Sequence, residues 1–96
     1  MQIEWLPKAV QNLIEIRSFI AADRPGAAAQ TARLIINTIS CLRAHPEIGR
    51  AGRIPGTREL VIPGKPYIVL YRVKNDVVVI LRVFHTSRKP ESMDLN

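Results

Sequence analysis

TRELVIPGKPYIVLYRVKNDVVVILRVFH, residues 57–85, contains three runs rich in Val, Ile, Leu and Tyr, at 57–62, 67–73 and 77–85. Pro63-Gly64-Lys65-Pro66 separates the first two and Lys74-Asn75-Asp76 the last two, so each run stops where the backbone must turn. The expected product is a three-stranded antiparallel meander. If Asn75-Asp76 forms a two-residue hairpin turn, Val69 lies opposite Arg82 and Arg72 opposite Val79, which sends the two arginines to opposite faces. A single bulge would reverse that placement.

Upstream of the meander the period changes. Gln2-Ile3-Glu4-Trp5 alternates polar with apolar and stops at Pro7, which predicts a short strand burying Ile3 and Trp5. Apolar residues then recur at Val10, Leu13, Ile14 and Phe19-Ile20, a helical pattern over roughly 7–22 with proline at its start. Asp23-Arg24-Pro25-Gly26 interrupts it, and Ala28, Ala32, Ile35, Ile39 and Leu42 form one inward stripe that ends at His45-Pro46. So short a connection makes the helices an antiparallel hairpin, with the alanines allowing close approach. Cys41 reads as a small buried hydrophobe of this second helix. Residues 46–56, with three glycines, two prolines, Arg50 and Arg53, read as an irregular basic loop. Thr86 to Asn96 is mostly polar and is expected to be poorly ordered unless a partner holds it. The predicted class is therefore α+β, in the order β-α-α-β-β-β, as one domain over 1–96 with the helical pair on one face of the sheet and the other face free.

Composition narrows the functional classes. At 96 residues and 47% hydrophobic, the chain is too apolar for a disordered tail and too short for two cores. One cysteine rules out an internal disulfide, and one Cys with two His gives no metal-site spacing, so neither a metal nor another cofactor is expected. No stretch approaches the ~20 apolar residues of a membrane span and no signal peptide is recognisable, which reads as a cytoplasmic protein with no membrane partner. A net charge of +6 favours an anionic partner without naming one.

Three segments in order carry a resemblance: Trp5-Leu6-Pro7 opening a helix, His45-Pro46-Glu47-Ile48-Gly49-Arg50 after the second helix, and Gly56-Thr57-Arg58-Glu59-Leu60. With Tyr67-Ile68-Val69-Leu70-Tyr71-Arg72-Val73 and the strand ending at Phe84-His85, the chain resembles the RelE/ParE toxins of type II toxin-antitoxin systems. The resemblance covers residues 2 to about 90 and implies a toxin held inactive by a cognate antitoxin, whose other half binds operon DNA. It implies one of two targets: DNA gyrase, as for ParE-like toxins, or mRNA on the ribosome, as for RelE-like endoribonucleases.

Such nucleases work without metal, orienting the RNA 2′-hydroxyl and stabilising developing charge with cations. An arginine that commonly follows the first aromatic of the penultimate strand in that group is replaced here by Ile68, which tilts the resemblance toward gyrase. Arg72, Arg82, His85 and Arg88 remain the catalytic candidates, His85 because imidazole exchanges a proton near neutral pH. Arg50, Arg53, Arg58, Arg88 and Lys89 are candidates for target binding. The plainer alternatives are arginine stems covering the sheet, His85 as a polar cap, and Tyr67 and Tyr71 filling the core. Outside the family, composition also permits a small nucleic-acid-binding accessory domain. Removing residues 86–96 is expected to weaken growth arrest after induction. A well-folded truncation as toxic as the full chain would exclude Arg88 and Lys89 from the active surface.

Overall fold

The computed structural model describes residues 1–93 and Leu95. Its elements run β1 (Gln2–Trp5), α1 (Pro7–Ala21), α2 (Pro25–Ser40), a 3₁₀ turn (Cys41–Arg43), β2 (Arg50–Ala51), β3 (Arg58–Val61), β4 (Tyr67–Lys74), β5 (Val77–His85) and a second 3₁₀ turn (Pro90–Ser92). The predicted α+β order is present, with one addition. Within the basic loop, Arg50 and Ala51 pair with Glu59 and Arg58, forming a two-residue edge strand too short to leave a periodic signal. The five strands lie in the order β1-β5-β4-β3-β2, with β1 parallel to β5 and the remaining pairs antiparallel.

Both helices start on proline, whose fixed φ and missing N–H suit the first helical position, and neither start has a side-chain cap. The Leu6 N–H donates to the Ile80 carbonyl at 3.0 Å, which ties the start of α1 to β5. The stripe of α2 faces inward as its spacing predicts: Ala28, Ala32, Ile35 and Ile39 are buried, and Leu42 follows in the 3₁₀ turn. On α1 the inward seam is instead Ala9, Leu13, Ile16 and Ile20, while Val10, Ile14 and Phe19 are exposed. Ala9 is fully buried in the core cluster, so the seam includes a residue that hydropathy scarcely marks. Cys41 is exposed, not buried, because Leu42 takes the inward position.

The Asn75-Asp76 turn has positive φ at both residues, 52° and 62°, as a two-residue hairpin of matching twist requires. Arg72 pairs with Val79 as expected, but a bulge beside Leu70/Tyr71 lets β5 hold one extra residue, Leu81. Arg82 then pairs with Leu70 and Val69 with Val83. Leu70 and Arg72 are two apart on β4, so Arg72 and Arg82 share a face.

That face is not free. One layer, between sheet and helices, is built on Ile35, Ile39, Tyr71 and Ile80; a second, on the opposite side, joins Ile68, Leu70, Leu81 and Phe84 to Leu6, Ile54, Met93 and Leu95. Its cover comes from the basic loop and from the tail, where Pro90 is buried. Within the tail, Pro90 and Met93 are apolar groups placed against the sheet, while the expectation of a poorly ordered tail also covers Asp94 and Asn96, which lie outside the described residues. Removing the tail would also uncover Leu81 and Phe84.

Tyr71 locks the loop before β2 to the sheet. Its hydroxyl donates to the Pro46 carbonyl at 2.7 Å and accepts the Gly49 N–H at 2.9 Å. A Cβ at residue 49 would lie 2.6 Å from that oxygen, so glycine is required there. Burial raises the Tyr71 pKa above its ordinary value, against the opposing Gly49 bond. Tyr71→Phe should cost about 1–3 kcal/mol in urea unfolding, the usual penalty for stranding two buried backbone groups. A loss below roughly 0.5 kcal/mol would show the loop to be held by other contacts.

Candidate functional site

The cations singled out in the sequence are spread over three places, and one set surrounds Glu59, which the sequence did not single out. Glu59 on β3 has a side chain only 1% exposed. Its alternation places it beside Leu70, in the second layer, where an isolated carboxylate would be costly. Oε1 accepts from Arg50 Nη2 at 3.0 Å and Arg53 Nη2 at 3.1 Å, and Oε2 from Arg53 Nε at 3.2 Å and the Arg53 backbone N–H at 2.9 Å. The Arg53 guanidinium also lies over the Phe84 ring, 6.0 Å from its centroid. The available signal was an acid inside an apolar strand just after a loop with two arginines. Arg58 is committed nearby, donating from Nη1 to the carbonyls of Glu47 at 3.1 Å and Gly49 at 2.8 Å. Arg50, Arg53 and Arg58 therefore hold the loop as well as adding positive charge to it.

Arg72 stands alone near the β4–β5 turn, half-buried, and its Nε meets no hydrogen-bond acceptor among the described residues. Arg82 is 5% exposed, with Nη1 donating to the Leu81 carbonyl at 2.6 Å. It lines a hollow of about 230 Å³ together with Lys8, Asn12 and Arg88. Arg82 pairs with Leu70, two residues before Arg72 on β4, an offset of about 7 Å along the strands.

The third group lies at the end of β5. β1 stops at Trp5, opposite Ile80, so the outer edge of β5 continues without a strand beside it. Asn12 of α1 substitutes there, its Oδ1 accepting the Val83 N–H at 3.0 Å. Between α1 and this edge opens a groove of about 400 Å³, floored by Ile16, Tyr67, Val83 and Phe84 and rimmed by Glu15, Phe19, His85 and Arg88. The His85 ring meets Tyr67 edge-on, centroids 5.7 Å apart. Its Nδ1 accepts the Ser87 N–H at 3.0 Å, which leaves the proton of the neutral ring on Nε2. Arg88 lines both this groove and the Arg82 hollow, so His85 and Arg88 come together, Arg82 and Arg88 come together, and Arg72 joins neither. Lys89 is exposed beside Arg88.

Residues 3–90 match the model of the ParE toxin of type II toxin-antitoxin systems, parDE. A relative from Sinorhizobium fredii named toxin Y4kP is 41% identical over 88 residues, covering 92% of this chain and 91% of its own. Toxin RelE2 of Caulobacter vibrioides is 31% identical, covering 91% and 97%. Among solved structures, the chromosomal ParDE system of P. aeruginosa superposes with a TM-score of 0.82 at 27% identity, covering 88% and 95%. A chain of the E. coli RelBE toxin-antitoxin complex shares the fold, with a TM-score of 0.68 at 12% identity over 91% and 98%. Fold and relatives together define a class, the small basic α+β toxins of type II systems. The chain belongs to the ParE toxin family, within the broader RelE/ParE group. No helix among the described residues is long and apolar enough to cross a membrane.

Burial pushes the Glu59 carboxyl upward, but the hydrogen bonds from Arg53 and Arg50 outweigh it and hold its pKa below the usual glutamate value. A carboxyl depressed in the folded state contributes stability above its unfolded pKa, and that stability is lost as pH falls through the folded one. Urea unfolding should therefore show wild-type stability falling from about pH 4.5 downward. Glu59→Gln should flatten that acid slope and cost about 1–3 kcal/mol at neutral pH, its arginines being partly solvated. An acid slope identical in the variant would show that other groups set it.

Proposed function

We propose that this chain is a toxin neutralised by a cognate antitoxin and that it acts by binding and inhibiting DNA gyrase, not by cutting RNA. The dispersal of the candidate cations carries this reading. Transition-state stabilisation at one phosphate needs several donors aimed at a single point. Arg72 is separated from His85 and Arg88, Arg82 is nearly buried, and Arg50 and Arg53 share one carboxylate. A binding toxin needs only an exposed cationic surface, and Arg88 and Lys89 at the end of β5 supply it, with the outward parts of Arg50, Arg53 and Arg58. Operator DNA would be reached through the antitoxin, as the paired structures solved for the ParDE and RelBE systems make reasonable.

A second reading, ribosome-dependent mRNA cleavage, is favoured by one observation: His85 and Arg88 line the same groove, giving a proton carrier and a cation in one place. Induction in a sensitive host distinguishes the two. Gyrase inhibition predicts early arrest of DNA synthesis and an SOS response with intact mRNA, and a gyrase assay in vitro should show inhibition that weakens as salt rises. Early mRNA cuts at ribosomal sites with replication continuing would reject gyrase as the target. His85→Ala would then separate catalysis from binding by abolishing cleavage.

A further inference from the structure

After His85 the chain passes onto the second layer of the sheet with little backbone bonding to hold it there. The Thr86 N–H donates to the Pro66 carbonyl and the Arg88 N–H to that of His85, each at 2.9 Å. Past Arg88, the backbone hydrogen bonds of the described residues stay inside the segment: the Ser92 N–H donates to the Lys89 carbonyl and the Met93 N–H to that of Pro90. The Ser92 hydroxyl also donates to the Lys89 carbonyl, at 2.7 Å. The turn Pro90–Ser92 is therefore a self-contained unit, joined to β5 through the exposed polar residues Thr86, Ser87, Arg88 and Lys89.

Side chains make its hold on the body. Pro90 is buried, and Met93 and Leu95 pack on the cluster of Ile68, Leu70, Leu81 and Phe84. Arg53, its pKa raised first by the hydrogen bond to Glu59, is raised further by the charge of Glu91, which puts an anion of the turn near a cation of the loop. Ser92 and Met93 also wall the hollow of about 230 Å³ that holds Lys8, Arg82 and Arg88, and Arg82 is only 5% exposed. A cover with few backbone bonds, held by a small set of apolar contacts at its far end, is the kind of element that opens before the rest of a fold does.

We propose that residues 90–93 are a releasable strap that opens as a unit about residues 86–89 and, while closed, withholds Leu81, Phe84 and Arg82 from partners. The layer between sheet and helices, built on Ile35, Ile39, Tyr71 and Ile80, takes nothing from the strap and keeps the sheet folded when it lifts. Lifting it joins Arg82 to Arg88 in one cationic surface beside an apolar strip. The closed strap is thus an autoinhibitory contact, whichever target the chain has.

The test treats the full chain with trypsin under native conditions and times the cut after Arg88, recognised by the mass of the released peptide, across a urea series below the unfolding midpoint. Opening of the strap exposes little surface, so the urea dependence of this cut should be a small fraction of that of global unfolding. Met93→Ser, which loosens the strap and leaves the body untouched, should speed the cut about fivefold or more and raise binding of an apolar dye, with circular dichroism unchanged. Salt should speed the wild-type cut about twofold, and Glu91→Gln should abolish that acceleration. Ile36→Ser, at an exposed residue of α2, should stay within about twofold of wild type. A urea dependence equal to that of global unfolding shows the strap to be an inseparable part of the fold, and the proposal falls. A cut as fast as in the unfolded chain and unmoved by Met93→Ser shows that the strap does not close, and the proposal falls equally. Should Met93→Ser lose its circular dichroism, the wild-type urea dependence still decides.

Discussion

The β4–β5 hairpin is buried on both faces, and most of what is particular to this molecule follows from that. Tyr71, Ile80 and Val83 face the helices, while Ile68, Leu70 and Phe84 face the loop and tail. Strands covered on two sides must meet most polar requirements from within, and Arg72 Nε, with no acceptor among the described residues, is an exception. Arg82 accordingly turns a guanidinium nitrogen onto the Leu81 carbonyl, and Tyr71 uses its hydroxyl to close two backbone groups of the loop. The second cover is assembled from segments with little regular structure of their own, so it depends on a few anchors: Ile54, Pro90, Met93 and the Glu59 knot.

Charge is distributed by the same constraint. Glu59 collects donors from Arg50 and Arg53, which converts part of a cationic loop into a scaffold and leaves the cations at the end of β5 as the more available positive surface. The knot adds the Arg53–Phe84 contact, so the loop that carries β2 is tied both to β3 and to the strand bordering the groove. On the binding reading proposed above, rigidity there matters, because a preorganised surface loses less conformational entropy on meeting its partner.

The unequal lengths of β1 and β5 shape the surface that remains. Where β1 ends, Asn12 satisfies one backbone donor of β5 and α1 passes alongside, leaving room for a groove. One patch thus combines an apolar floor and the exposed Phe19 ring with a rim that carries Glu15, His85 and Arg88.

Read from residues alone, the chain discloses its element types and order, the inward stripe of α2, the two-residue turn at Asn75-Asp76 and its own basic character. Those features are local, since periodicity, proline and glycine act over a few positions. The family resemblance was legible for the same reason, through short segments in a particular order. Tertiary structure alone decided the rest. The bulge at Leu81 returned Arg72 and Arg82 to one face, a single added residue being invisible in a run of β-formers. Ala9 lies fully buried on the helix seam while Val10 and Ile14 are exposed, an outcome that hydropathy along the helix does not mark. Glu59, Pro90 and the groove beside Phe19 owe their meaning to residues far away in the chain, and only folding brings those within the few ångströms over which hydrogen bonds and apolar contacts act.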